Sequence, residues 1–225
     1  MAETQVHLVR HGHVENPRRV LYGRLPGFNL SAVGRAQAEL LARYFAPLPV
    51  AAVWSSPLER AQQTAAIAEA HGLVVETDVR LIEATNLFEG AAGNIAWYVL
   101  RHPALWLKLR DPRGPSWGER NVDLAARIQE AVTAAREAAA GRHAVLVSHQ
   151  APIYVARLAY ERRSLTHWPA RRECALGSVT SLSFNGDTLT GVRYSEPAAA
   201  PLRAAAGTTP APEAGRGGPG AGPPG

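Results

Sequence analysis

Residues 5–13 read QVHLVRHGH, a short apolar run that ends abruptly in Arg10, His11, Gly12 and His13. A run of this length bounded by a glycine is the pattern of a buried strand. Working outward, residues 50–55 (VAAVWS) and 144–148 (AVLVS) read the same way, and 74–82 more weakly so. Residues 178–194 alternate polar and apolar positions around Asn185-Gly186, the signature of a β-hairpin.

Helical patterns separate these strands. Residues 31–46 place Val33, Ala36, Leu40, Leu41 and Tyr44 on one stripe behind a Ser31 N-cap. Residues 56–71 read as a helix capped by Ser56, with Pro57 in the first helical position, Glu59 closing a capping box and Gly72 ending it. An Ala-rich helix is expected over 119–140, stopping at Gly141, and a last one from about Pro152. Strands alternating with helices predict an α/β three-layer sandwich, with a mostly parallel central sheet flanked by helices.

The chain has 225 residues, 46% of them hydrophobic, which suits one such domain over 1–196. From 197 to 225 almost every residue is Ala, Gly or Pro, so that stretch is expected to be a disordered tail. The formal charge is +5, but the arginines are scattered apart from three pairs, so no nucleic-acid partner is expected. A single cysteine, Cys174, fits a reducing compartment. The opening Met-Ala-Glu-Thr-Gln does not read as a signal peptide, and no apolar run approaches a membrane span, so the expectation is a cytoplasmic protein without a membrane partner. Nothing in the sequence speaks to oligomeric state.

In sheets of this kind chemistry gathers at the carboxyl ends of the strands. Those ends carry Arg10-His11-Gly12-His13, Ser55-Ser56-Pro57-Leu58-Glu59-Arg60, Glu83, and Ser148-His149-Gln150. Arginines, histidines and a carboxylate gathered at these ends are the equipment for moving a phosphoryl group without a metal. Neutral imidazole is a competent nucleophile near pH 7. Guanidinium forks match phosphate oxygens and stay charged. A carboxylic acid can protonate the leaving oxygen. His11 and His13 could instead form a metal pair, but the further ligands such a site needs are missing, and no metal is expected.

The blocks LVRHGHVEN (8–16), LYGRLPGFNLSAVGRAQA (21–38), SSPLERAQQTA (55–65) and VLVSHQ (145–150) follow one another in an order that resembles the histidine phosphatase superfamily. That superfamily includes the cofactor-dependent phosphoglycerate mutases. The likeness runs from about Val6 to Tyr194 and implies a phosphoglycerate mutase-like fold. It implies His11 as phosphohistidine nucleophile, Arg10, Arg60 and His149 as phosphate ligands, and Glu83 as proton donor and later base. Asn16, Tyr22 and Gly23 would line the phosphate or substrate entrance, and Gln150 would touch substrate. No cofactor is implied, and the partner is a small phosphorylated substrate. The chain departs from the family pattern after the acid: EATNLFEG (83–90) is one residue short, which makes Glu89 a competitor for Glu83. Gln150 stands where Gly is common, and His13 where Glu or Gln is common.

The expected reaction is phosphomonoester hydrolysis, with a mutase-type isomerisation as the alternative and a non-catalytic phospho-ligand binder as the third reading. A mutase needs additional cations over the site. The insert at 91–118 is instead expected to be a helical lid of mixed character, with Trp97, Tyr98, Leu105 and Trp106 among Arg101, Lys108, Arg110 and Arg113. His7, His71, His102, His143 and His167 read as structural.

Overall fold

The computed structural model describes residues 3–92, 100–103, 118–167 and 171–207. The strands are β1 (Thr4–Arg10), β2 (Val50–Ser55), β3 (Val75–Thr77), β4 (His143–Ser148), β5 (Val179–Asn185) and β6 (Thr188–Ser195). They form one sheet in the order β3-β2-β4-β1-β5-β6. The pairings β3–β2, β2–β4 and β4–β1 are parallel, and the hairpin adds two antiparallel strands beside β1. The sheet is therefore mixed, and its parallel part holds β1 and β4 side by side at the centre.

Burial on both faces explains the continuous apolar runs. Ala144 and Leu146 point to one core with Val6, Leu8, Ile128, Val132 and Ile153. The helices on that side are α3 (Asn121–Ala139) and α4 (Gln150–Tyr160). Val145 and Val147 point to the other core with Val9, Leu41, Phe45, Val53 and Ile67. There the cover is α1 (Ala32–Phe45), α2 (Glu59–Thr64) and the 3₁₀ segment Ala65–His71. The three layers are those expected of the sequence.

Several local expectations shift. Ser31 caps α1 by accepting from Gly34 N, but the buried face is Gly34, Gln37, Ala38, Leu41 and Phe45, turned from the purely apolar stripe. The turn comes from Gln37, whose side chain accepts from His13 N and donates to Leu176 O and Ala198 O. The 74–82 strand reduces to β3 plus a 3₁₀ turn at Val79–Leu81, with Asp78 capping the turn. α2 begins at Glu59, and Leu58 is its N-cap. Ser56 does not cap it because Ser56 N still bonds Val147 O across the sheet while its hydroxyl pairs with His149.

Order also continues past the expected boundary at 196. Ala198 is buried in the second core and α5 spans Ala200–Gly207. Composition argued against this, but one small buried side chain and one carbonyl held by Gln37 anchor the segment. Residues 208–225 lie outside the described residues, as does nearly all of the expected lid. Among the described residues no helix is long and apolar enough to cross a membrane.

Far from the strand ends, His7 is buried with Nδ1 against Ser181 Oγ at 2.8 Å and Nε2 against His143 Nδ1 at 2.9 Å. Burial, helped by His143, pushes its pKa down to about 3. The unfolded chain then binds the extra proton below about pH 6.5, so stability is full above that pH and falls as pH drops toward 3. His7 alone should cost about 2 kcal/mol at pH 5. Urea midpoints should therefore drop between pH 7 and pH 5, before carboxylates titrate; equal midpoints would refute the linkage.

Candidate active site

The loop after β1 is fixed on every side. Arg10 N donates to Ser178 O, His11 N to Ser148 O and Gly177 N to His11 O. Gly12 N donates to Thr64 Oγ1 at 3.1 Å. Glycine is required here by close approach: a Cβ on Gly12 would meet Gly34 O at 2.7 Å, and one on Gly34 would meet His13 O at 2.0 Å. The backbone contact brings the start of α1 directly against the RHGH turn.

His11 is 2% exposed, and its Nδ1 sits 2.8 Å from Gly12 O. A carbonyl can only accept, so Nδ1 carries the proton and Nε2 the lone pair. Burial first, then Arg10 and Arg60, hold its pKa well below 6.5. The ring is neutral at pH 7, the state a nucleophile needs.

Arg60 is fully buried in the first turn of α2. Its guanidinium lies 4.7 Å above the Tyr22 ring, and Nη2 donates to Gly23 O at 2.6 Å. His149, also fully buried, lies with its ring centroid 5.1 Å from that of His11 and Nε2 2.7 Å from Ser56 Oγ. Burial first, with the charges of Arg60 and Arg10, holds its pKa well below 6.5. Arg10 reaches over to donate to Cys174 O. Arg10 Nε, Arg60 Nε and Nη1, and His149 Nδ1 are buried with no hydrogen-bond partner among the described residues. Each such group costs about 1–3 kcal/mol. Four of them around one histidine make a cradle suited to an oxyanion with several acceptor oxygens.

A cavity of about 270 Å³ opens on His11. Arg10, Tyr22, Gly23, Glu83 and Gln150 stand in its wall, whereas Arg60 and His149 lie buried beside His11. Asn16 lines an adjoining pocket that shares Leu21 and Tyr22 with this one. Its amide brackets its own loop, donating to Val20 O at 2.8 Å and accepting from Val20 N at 2.9 Å, which leaves one N–H and one lone pair of the amide unused. His13 turns to Ser31 Oγ at 2.8 Å. Among the described residues no three His, Cys, Asp or Glu side chains gather as a metal-holding group.

The two candidate acids separate. Glu83 lines the cavity and accepts from Ala84 N at 2.8 Å. Glu89 accepts from Arg24 N and packs under Gly23, whose φ is +38°. The segment bearing Glu83 is clamped from behind. Arg127 donates to Arg80 O and Ile82 O, and Arg24 Nε donates to Glu83 O at 2.6 Å. Glu119 joins the two guanidiniums, at 3.1 Å from Arg24 and 2.6 Å from Arg127. Ser148 Oγ adds a bond to Leu81 O at 2.6 Å.

Sequence reasoning missed Glu119, His167 and Arg172, all in the cavity wall. The nearest signal was the basic pair Arg171-Arg172, close after His167.

A histidine flanked by the buried Arg60 and the part-buried Arg10 at the carboxyl ends of parallel strands defines a class of site suited to a phosphate-sized anion. The chain matches the family model of the histidine phosphatase superfamily (branch 1) over residues 6–197, and it belongs to that superfamily. It is 55% identical over 201 residues to the uncharacterized protein Rv0525 of Mycobacterium tuberculosis, covering 88% of this chain and 98% of that one. Among solved structures it is similar to Bacillus stearothermophilus YhfR (TM-score 0.70, 26% identity, 83% of this chain and 94% of that one). It is also similar to the mycobacterial glucosyl-3-phosphoglycerate phosphatase Rv2419c (TM-score 0.66, 29% identity, 86% and 96% coverage). Its structural neighbours thus include phosphatases with the same α/β fold.

Proposed function

We propose that this chain hydrolyses a small phosphomonoester through a phosphohistidine at His11. The observation that carries the reading is the cradle: three buried guanidinium nitrogens of Arg10 and Arg60 and Nδ1 of His149, all without partners among the described residues, stand about a neutral imidazole whose Nε2 holds the lone pair. His11 Nε2 forms a bond to phosphorus as the ester P–O bond breaks, and the Glu83 carboxyl gives its proton to the leaving oxygen. Water then attacks phosphorus and passes a proton to the Glu83 carboxylate. The P–N bond breaks, phosphate leaves, and both side chains are restored. Arg10, Arg60 and His149 meet the charge on the equatorial oxygens at each step.

The cations needed for this chemistry are all side chains, so the reading requires no metal. A panel of small phosphomonoesters assayed in excess EDTA should release inorganic phosphate at the rate seen without chelator. The same reactions should be followed for migration of phosphate between hydroxyls. Isomerisation outpacing phosphate release would replace the hydrolase with a mutase, and activity lost to EDTA and restored by Zn²⁺ would refute the metal-free route.

A further inference from the structure

The cavity wall holds a guanidinium that the phosphoryl cradle does not use. Arg172 Nε donates to His167 Nε2 at 2.8 Å, and His167 Nδ1 donates to Leu165 O at 2.8 Å. The His167 ring packs edge-on against Tyr154 at 5.0 Å. Arg172 is therefore held in place from behind by a fixed neutral imidazole. Yet it makes no ion pair with any carboxylate among the described residues. The two carboxylates in the same wall are occupied elsewhere: Glu119 lies between Arg24 and Arg127, and Glu83 accepts from Ala84 N. A part-buried guanidinium fixed in a cavity wall with no salt-bridge partner among the described residues is a recognition element for an anion.

Its position separates it from the cradle. The charges that bear most on His11 and His149 are those of Arg10 and Arg60. On Arg172, burial acts first and Glu83 is the strongest charged neighbour, ahead of the cradle's Arg10. Arg172 and Glu83 share the wall of one cavity, so with Glu83 as the acid proposed above, Arg172 stands on the leaving-group side of the phosphorus.

We infer that Arg172, positioned by His167, binds a second anionic group carried by the alcohol portion of the substrate. The substrate class is then a phosphomonoester whose leaving group bears a carboxylate or a further phosphate. This rests on the phosphatase reading above and specifies the substrate of the same cavity.

Binding of non-hydrolysable phosphonates tests it without turnover. Calorimetric titration would compare 3-phosphonopropionate, its primary amide and propane-1,3-diylbisphosphonate on wild type, Arg172→Gln and Arg172→Lys. Wild type should bind at least one of the two anionic-tail ligands about ten- to a hundredfold tighter than the amide, the worth of a charge-assisted pair. Whichever of the two binds better identifies the second anion as carboxylate or phosphate. Arg172→Gln should bring that ratio close to one, and Arg172→Lys should recover part of it. No preference in wild type, or a preference that survives Arg172→Gln, would overturn the inference. Failure of wild type to release phosphate from any ester would count against the phosphatase reading alone.

Discussion

Replacing His11 with alanine is expected to abolish phosphate release, by roughly 10⁴-fold or more, because no other group can form the covalent intermediate. The argument starts from the tautomer. Gly12 O fixes the proton on Nδ1, and burial among Arg10 and Arg60 keeps the ring neutral, so Nε2 is available at pH 7. His149, the other buried imidazole of the site, has Nε2 engaged by Ser56 and cannot substitute. Rapid quenching at alkaline pH with ³²P-labelled substrate should trap label on wild type and none on His11→Ala. His149→Ala should still label, more slowly. Equal labelling of wild type and His11→Ala would remove His11 from the mechanism.

The second large effect separates the two glutamates. Glu83 lines the cavity, whereas Glu89 is engaged with Arg24 N beneath Gly23. A general acid matters most when the leaving alkoxide is unstable, and it is typically worth roughly 10²–10⁴-fold. Glu83→Gln should slow phosphorylation of His11 by alkyl phosphates over that range and by p-nitrophenyl phosphate far less. Burst kinetics are needed, because the same carboxylate prepares water for the second step. Glu89→Gln should show no such leaving-group dependence and should instead lower thermal stability through the Tyr22–Arg24 turn. The opposite assignment of leaving-group dependence would move the acid to Glu89.

The sheet and the RHGH, SSPLER and VSHQ strand ends were legible because each is contiguous with its own apolar run. Local reasoning failed where a side chain was claimed by a distant partner. Ser56 looked like an N-cap, but its hydroxyl belongs to His149, 93 residues away. Gln37 sits on a face read as apolar because it ties His13, Leu176 and Ala198 together. That tie is also why composition misplaced the end of the ordered domain. His167 was read as structural and Arg172 only as one of a basic pair, because only the chain's return after α4 carries them to the cavity.

The place of β1 in the sheet has a consequence for biosynthesis. The strand that ends in Arg10 is flanked by β4 and β5, whose pairing residues run over 143–148 and 179–184. At roughly 5–20 residues per second, a nascent β1 therefore waits several seconds or more before either neighbour exists. Throughout that interval Val6, Leu8 and Val9, all buried in the finished protein, have no sheet to join. The ribosome delivers the nucleophile long before the strands that give it a pocket, and chaperone occupancy during translation should be concentrated on that first apolar segment.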